Sequence, residues 1–284
     1  MTQSLNKPFT LHLSNVRGRK TNTSYPYEAP ITCPADLMKA AKFDHTAGLF
    51  KDGKNSKGGM IAAHRAIKDF VEEDCVITDC DNKENNPMLP DIPPEEWKTP
   101  EDVHKAFPGV EFIAIPSRNH MKEKNGLPAR PKHHYYFPRS RKAETAGESA
   151  KLRNAIIEHF PQFDEKAKDP AHFMFGIESP LEPIYYPGEI CIDEFMQQLE
   201  QRVNDEAAVI PDGCRNATLS RYAFSMNSIT RLTRRVSDFP ARNAQRLKRA
   251  MNVTASRLPG KSKSWTRLIG NSPFPNGNGT GQAN

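Results

Sequence analysis

The sequence has no apolar run that approaches the length of a membrane span. A transmembrane helix needs about 20 consecutive apolar residues, and no stretch of the 284-residue chain comes near this. The first residues also lack the basic-then-apolar pattern that is typical of a secretion signal. We therefore expect the protein to act in the cytosol, without a membrane partner.

Cysteines are few and scattered. The chain has five, which is an odd number, and no C-x-x-C pair occurs among them. This spacing argues against both a disulfide framework and a zinc site of the C-x-x-C type. We expect the five to be reduced and mostly buried: Cys33, Cys75, Cys80, Cys191 and Cys214.

Acidic residues are almost missing from one C-terminal segment. Residues 213–270 contain thirteen Lys and Arg but only Asp238 as an acid, which leaves 27 bases and 33 acids elsewhere in a chain of net charge +6. A basic segment on a mildly acidic body favours a polyanionic partner, nucleic acid before membrane. The alternative is a pair of solvated basic helices with no ligand.

The chain is long enough for one catalytic-sized domain with a smaller appendage. We predict a catalytic domain over residues 1–188, a basic helical segment over 189–252 and a basic tail over 253–284. From Asn271 the tail is mostly glycine, asparagine and proline. It has almost nothing to bury, so we expect it to be disordered.

Hydrophobic periodicity predicts a mixture of strands and helices. The predicted strands cover residues 9–13, 75–82, 111–115, 133–137 and 172–177. The predicted helices cover residues 33–43, 60–70, 99–107, 148–160, 192–208, 217–235 and 241–251. Pro34 and Pro100 stand where a first helical turn tolerates proline. The polar loop 51–59 is a candidate to close over a ligand, or an ordinary surface loop.

Two acids stand at the end of the strand-like run predicted over residues 75–82. Because side chains alternate along a strand, Asp79 and Asp81 project from the same face. Neighbouring carboxylates repel each other unless a cation lies between them, and oxygen pairs of this kind suit Mg²⁺ or Mn²⁺. The alternative is an Asx-type turn at Asp81-Asn82 with both acids solvated.

A histidine strand follows a basic loop further along the chain. Period two places His134 and Tyr136 on one face, and it places His133, Tyr135 and Phe137 on the other. One face can then be chemical while the other packs. A third acid, Asp169, precedes an aromatic run. A half-core histidine and an ordinary turn at Asp169-Pro170 are the alternatives.

These positions fit the transfer of a nucleotidyl group. Such a reaction uses two divalent ions, which three carboxylates can bridge. His134, with Arg130 and Lys132 nearby, could then bind the triphosphate and neutralise the charge that grows in the transition state.

Four motifs together resemble the archaeo-eukaryotic primase superfamily, most closely the primase or primase-polymerase domains of bacterial phages and mobile elements. They are DCDN at 79–82, SRNHMK at 117–122, RPKHHYYFP at 130–138 and DPAHFMFG at 169–176. The resemblance implies an α+β fold: an RRM-like antiparallel sheet flanked by helices, with a small helical segment after it. It also implies single-stranded DNA as template, NTP or dNTP as substrate and a bacterial host cytosol.

The resemblance implies roles for individual residues. Asp79, Asp81 and Asp169 would hold two Mg²⁺ or Mn²⁺ ions and, with His134, form the catalytic set. The implied nucleotide-binding residues are His134, Lys132, Arg130, Ser117, Arg118 and, more weakly, Arg65.

The chain departs from the family pattern at two positions. Lys132 stands where a small residue is usual, so the path of its loop is left open. His172 stands where arginine is common, which puts a phosphate contact from that position in doubt. Residues 210–223 resemble the start of the helical domain that follows such cores. The P-loop-like stretch at 255–262 has no preceding buried strand, so we expect a helicase, if needed, to be a separate protein.

Two other functions fit parts of the sequence. The first is a catalytically inactive nucleic-acid-binding protein on the same core, which would not bind nucleotide in a metal-dependent way. The second is an unrelated enzyme that uses D-x-D to hold a nucleotide-sugar, which would act without a template and leaves His134 unexplained.

Overall fold

The structure, a computed structural model, describes residues 3–84, 91–123 and 126–208. The chain divides into two units, Met1–Val203 and Asn204–Asn284, and the description below is of the first. Cys214, the predicted helices at 217–235 and 241–251, the basic segment and the tail lie outside the described residues. None of the helices among the described residues has the length and apolar character that crossing a membrane requires.

The strands form three antiparallel sheets. A five-stranded sheet has the order β10-β8-β9-β7-β4, a three-stranded sheet the order β2-β1-β3, and β5 pairs with β6. The strands are β1 Phe9–Leu13, β2 Tyr27–Ile31, β3 His45–Thr46, β4 Leu49–Phe50, β5 Gly53–Lys54, β6 Met60–Ile61, β7 Phe70–Cys80, β8 Phe112–Pro116, β9 His133–Ala143 and β10 Ile184–Tyr186. Together with the helices, these sheets confirm a mixed fold of the α+β type.

The helices are α1 Pro34–Ala40, α2 Pro100–Ala106, α3 Ala146–His159 and α4 Ile192–Ala208. Short 3₁₀ turns cover Ile67–Asp69, Pro94–Glu96 and Glu165–Lys168. Helix α2 begins as predicted, with proline in its first turn and a capping box in which Thr99 and Asp102 satisfy each other's backbone N–H groups. The start of this helix could be predicted from the sequence because the capping residues are close neighbours in the chain.

The central strands β7 and β9 are buried on both faces. On one face Val76 and Phe137 pack against α2, α3 and α4, together with Phe107 and Ile156. On the other face, side chains of both strands pack against the N-terminal sheet and α1, among them Ile77, Tyr136, Leu11 and Leu37. The predicted alternation is confirmed, since Tyr136 packs on one face and Phe137 on the other, but the face that carries His134 also packs.

The helix predicted over residues 60–70 is wrong. This stretch contains β6, the turn Ile67–Asp69 and the start of β7. Ala63 adopts a left-handed backbone, with φ of 42°, which interrupts a right-handed helix. The imidazole of His64 binds the Asp69 carboxylate at 2.8 Å, and this contact fixes the irregular path.

The strand predicted over residues 172–177 is also wrong, apart from one isolated bridge between His45 and Met174. The aromatic side chains of this run serve another purpose. Phe173 lies 4.3 Å from the guanidinium carbon of Arg65, and Phe175 lies 4.1 Å from that of Arg118. The run is therefore a loop held by cation–π contacts; below we call residues 169–177 the aromatic loop.

All four cysteines in the described residues are free thiols, as predicted. Cys75, Cys80 and Cys191 are buried, and Cys33 is partly buried. Burial raises the pKa of the Cys80 and Cys191 thiols to about 12, so both stay protonated at neutral pH.

Candidate active site

The motifs that lie apart in the sequence meet at one edge of the five-stranded sheet. Because β7 and β9 are antiparallel, the end of β7 lies beside the beginning of β9, and Asp79 pairs with His134. The end of β8 joins the same edge, where Ile115 also pairs with His134. Sheet topology alone thus brings the acid pair and the histidine motif together.

Asp79 and His134 lie on the same face of the sheet, and both are largely enclosed. The Asp79 side chain is 17% exposed, and His134 is 8% exposed. Oδ1 of Asp79 and Nδ1 of His134 are buried without a hydrogen-bond partner among the described residues. Burial lowers the pKa of His134 to about 3, against the opposing charge of Asp79. His134 is therefore a neutral imidazole that can hydrogen-bond a phosphate but brings it no charge.

His172 lies next to Asp79. Its Nε2 is 3.7 Å from Oδ1 of Asp79, and this nitrogen too is buried without a hydrogen-bond partner in the described part of the chain. Burial acts to raise the pKa of Asp79, but the neighbouring imidazole outweighs it and holds the pKa below its ordinary value. Asp79 is therefore ionised at neutral pH.

Asp81 has a different neighbour. Nζ of Lys132 lies 3.3 Å from Oδ2 of Asp81, and both side chains are at least partly buried. The repulsion expected between two adjacent carboxylates is thus relieved separately for each, since Asp79 faces His172 while Asp81 pairs with Lys132.

The third predicted acid, Asp169, is exposed on the aromatic loop. Its carboxylate accepts the backbone N–H of Ala171 at 2.8 Å, a contact that agrees with the ordinary turn expected as the alternative at Asp169-Pro170. No group of three or more His, Cys, Asp or Glu side chains within residues 3–84, 91–123 and 126–208 is placed to hold one metal ion. The convergence of Asp169 with Asp79 and Asp81 stays a prediction.

Arg65 and Arg118 border the aromatic loop. Nη1 of Arg65 donates to the carbonyl of Ala171 at 2.6 Å, and its guanidinium lies over Phe173. Arg118 lies over Phe175, and the preceding Ser117 donates its N–H to the carbonyl of Lys132 at 2.9 Å. Ser117 and Arg118 therefore sit at the sheet edge that carries the site, and Arg65 connects to it through the loop.

Arg130 is fully buried, and its guanidinium binds other groups of the protein. Its two terminal nitrogens bind the Asp91 carboxylate, and Nη1 also donates to the carbonyl of Asn82 at 2.6 Å. Asn82 has a left-handed backbone, with φ of 51°, a conformation that asparagine adopts more readily than most residues. These contacts assign Arg130 to holding the turn that follows the acid pair, and its predicted contact with nucleotide stays a prediction.

Sequence reasoning missed His45. This residue is fully buried beneath the site, where Nδ1 donates to the carbonyl of Phe43 at 2.8 Å and Nε2 accepts the hydroxyl of Tyr136 at 2.6 Å. Burial lowers the pKa of His45 to about 4. No local pattern marks such a residue, because its partners come from a distant strand.

The site fits a divalent cation in its donor chemistry. Asp79 and Asp81 offer carboxylate oxygens, which Mg²⁺ and Mn²⁺ prefer, and Oδ1 of Asp79 is buried without a donor among the described residues. The protein ligands form only part of a shell. Substrate phosphates complete such shells in many nucleotide enzymes.

Comparison with known proteins gives a distant structural likeness. No family model and no curated protein sequence matches this chain. The chain is similar to the AEP domain of the primase-polymerase of cyanophage S-2L, with 10% sequence identity and a TM-score of 0.33. The match covers 67% of this chain and 88% of that one. A likeness this distant does not assign the chain to a family.

Proposed function

We propose that the protein is a template-directed nucleotidyltransferase that makes primers, a DNA primase with possible DNA polymerase ability, and that it uses two Mg²⁺ or Mn²⁺ ions. One observation carries this proposal: Asp79 and His134 lie opposite each other on one face, each with a buried atom that has no hydrogen-bond partner in the described residues. Leaving a buried polar atom unpaired costs about 1–3 kcal/mol. The unpaired atoms of Asp79 and His134 are therefore more easily explained if a ligand binds them.

The residues at the sheet edge have separate roles in this proposal. Asp79 and Asp81 would hold the divalent ions, which would supply Lewis-acid stabilisation of the charge that develops on the phosphoryl group. His134 donates a hydrogen bond to the triphosphate. Lys132 leaves Asp81 when the ions bind and turns its ammonium toward the phosphates. Asp169, on the aromatic loop, remains the proposed third acid.

The reaction follows from this arrangement. The 3′-hydroxyl of a primer, or of the first nucleotide, attacks the α-phosphate of the incoming NTP or dNTP. The hydroxyl proton is lost to water, and the new P–O bond forms as the bond to the leaving pyrophosphate breaks. The partner is single-stranded DNA, whose phosphates suit the basic segment at 213–270. A separate helicase would open the duplex.

The proposal is tested by incubating the full chain with single-stranded DNA, labelled NTP or dNTP and Mn²⁺ or Mg²⁺. We expect labelled oligomers that require template. Asp79→Asn and Asp81→Asn should each abolish them, because an amide binds a divalent cation far more weakly than a carboxylate does. Glu158→Gln is the matched control, since this exposed acid lies on α3 and the substitution removes the same charge.

Each other outcome has a clear meaning. Synthesis that survives both aspartate substitutions would show that these acids are not the catalytic centre. Binding of single-stranded DNA with neither synthesis nor metal-dependent nucleotide binding would favour a catalytically inactive binding protein on the same core. Turnover of a nucleotide-sugar without template would favour the glycosyltransferase-like alternative.

A further inference from the structure

Three buried atoms at the active site lack hydrogen-bond partners in the described residues. They are Oδ1 of Asp79, Nδ1 of His134 and Nε2 of His172. Buried polar atoms in folded proteins are almost always paired, so a group of unpaired ones calls for an explanation such as an ion or ligand. Of the three, the Asp79 and His172 atoms are separated by 3.7 Å.

The backbone of His172 is firmly held. Its N–H donates to the carbonyl of Asp169 at 2.9 Å, and its carbonyl accepts the hydroxyl of Thr46 at 2.9 Å. The carbonyl just before it, that of Ala171, accepts Arg65. These bonds fix where the imidazole starts and so limit how far it can move from Asp79.

The distance between Asp79 and His172 fits an ion better than a hydrogen bond. At 3.7 Å the two atoms are too far apart for a hydrogen bond. Two ligands that each lie about 2.1 Å from an octahedral ion are about 3 Å apart when adjacent. Small side-chain shifts would therefore allow both atoms to bind one cation.

We propose that Nε2 of His172 is a ligand of the divalent cation held by Asp79, and that it makes the site prefer Mn²⁺ to Mg²⁺. The inference rests on the proposed function and deepens it. Mg²⁺ strongly prefers oxygen ligands, whereas imidazole affinity increases from Mn²⁺ along the first-row transition metals. An Asp–His pair therefore penalises Mg²⁺ more than Mn²⁺.

The small number of protein ligands agrees with this arrangement. No three-ligand group is present in the described ranges, so phosphates and water must complete the shell. The Asp–His pair would then bind its ion tightly only when nucleotide is present. Metal selection by His172 would occur at the same step as substrate binding.

The experiment measures Mn²⁺ binding to the full chain by loss of the free-ion EPR signal, with a non-hydrolysable nucleotide present and Mg²⁺ as competitor. His172→Ala should weaken Mn²⁺ binding about tenfold or more, with a smaller effect on Mg²⁺. His172→Asp supplies an oxygen ligand and should shift the preference toward Mg²⁺. His159→Ala is the control, because this exposed histidine lies at the end of α3.

Pulsed EPR gives a readout that does not depend on activity. Bound Mn²⁺ should show a ¹⁴N coupling in the wild type and in His159→Ala, and lose it in His172→Ala. Circular dichroism confirms that each variant is folded, and His172→Asp tests the inference independently in the opposite direction.

The outcomes separate the two proposals. If Asp79→Asn abolishes Mn²⁺ binding while both His172 variants bind Mn²⁺ and Mg²⁺ as the wild type does, the inference about His172 is wrong and the proposed function stands. A ¹⁴N coupling that persists in His172→Ala also overturns the inference. If the wild type binds no Mn²⁺ with nucleotide present, both proposals fail.

Discussion

Lys132 and Asp81 form an ion pair, with Nζ 3.3 Å from Oδ2, at the position where the proposed function requires a metal ligand. The ammonium and a divalent cation therefore compete for the same carboxylate. Lys132 would be released when the ions bind, and it would then be free to contact the phosphates. The ion pair would therefore be present when the site is empty and absent when metal ions and nucleotide are bound.

Replacing Lys132 by methionine tests this competition. Because Asp81 loses its partner, Mn²⁺ binding without nucleotide should strengthen by up to about fivefold, the size expected for a partly exposed ion pair. Nucleotide affinity should fall, since a phosphate contact is lost. Calorimetric titrations of metal and nucleotide measure both. A fall in both affinities would show that Lys132 does not oppose metal binding.

Glu73 is the centre of a buried ionic cluster that joins β7, β9 and α3. Its carboxylate binds Arg153 at 2.8 Å, Arg139 at 3.3 Å and the hydroxyl of Ser149 at 2.6 Å. Glu73→Gln removes the carboxylate that faces the buried Arg153 and leaves Arg139 with only the more distant Glu148, 3.7 Å away. It should reduce the free energy of unfolding by about 3–5 kcal/mol. Urea denaturation measures this.

Glu72 provides the matched control for that substitution. It is the preceding residue on β7 and pairs with Lys142, whose side chain is 55% exposed. Glu72→Gln should therefore change the free energy of unfolding by less than about 1 kcal/mol. Equal losses in the two variants would contradict the importance of burial in this cluster.

His45 should make stability depend on pH. Burial holds its pKa at about 4 in the folded protein, although the Phe43 carbonyl and the Asp44 charge oppose this, while the ordinary value is 6.5. Below pH 6.5 the unfolded chain therefore takes up a proton that the folded chain does not. The free energy of unfolding should fall as the pH drops through this range, by about 3 kcal/mol in total by pH 4.

The His45 contribution is isolated by comparing the wild type with His45→Gln. Both proteins are unfolded in urea at a series of pH values between 4 and 7. The variant should show a shallower dependence, because it has no imidazole to protonate at this position. Parallel pH profiles would assign the dependence to other groups.

Arg130 should affect stability more than nucleotide binding. Arg130→Met removes the support of the turn at Asn82 and leaves Asp91 unpaired, so the free energy of unfolding should fall by about 3 kcal/mol. Asp91→Asn should reproduce part of the loss. Nucleotide affinity, measured on the folded variant, should stay close to that of the wild type. A large loss of affinity without a loss of stability would instead support the nucleotide contact implied by sequence.

Sequence alone predicted the features that depend on local chemistry. Alternation along residues 133–137 fixed which side chains share a face with His134, and the cap at Thr99 located the start of α2. Both depend only on neighbours in the chain. The meeting of Asp79 with His134 follows once their strands are adjacent and antiparallel.

The features that sequence missed depend on distant partners. The irregular path after β6 is fixed by a His64–Asp69 contact and by the left-handed Ala63. The role of His45 depends on Tyr136, which lies on β9. The aromatic loop was predicted as a strand from the spacing of its apolar residues. This spacing does not reveal that its aromatic rings pack on arginine side chains.

The most direct test of the account is anomalous X-ray scattering from a crystal of the protein with Mn²⁺ and a non-hydrolysable nucleotide. The account predicts Mn²⁺ peaks within ligand distance of the Asp79 and Asp81 carboxylates, with the triphosphate against His134. Mn²⁺ bound only elsewhere, or a nucleotide distant from His134, would contradict it.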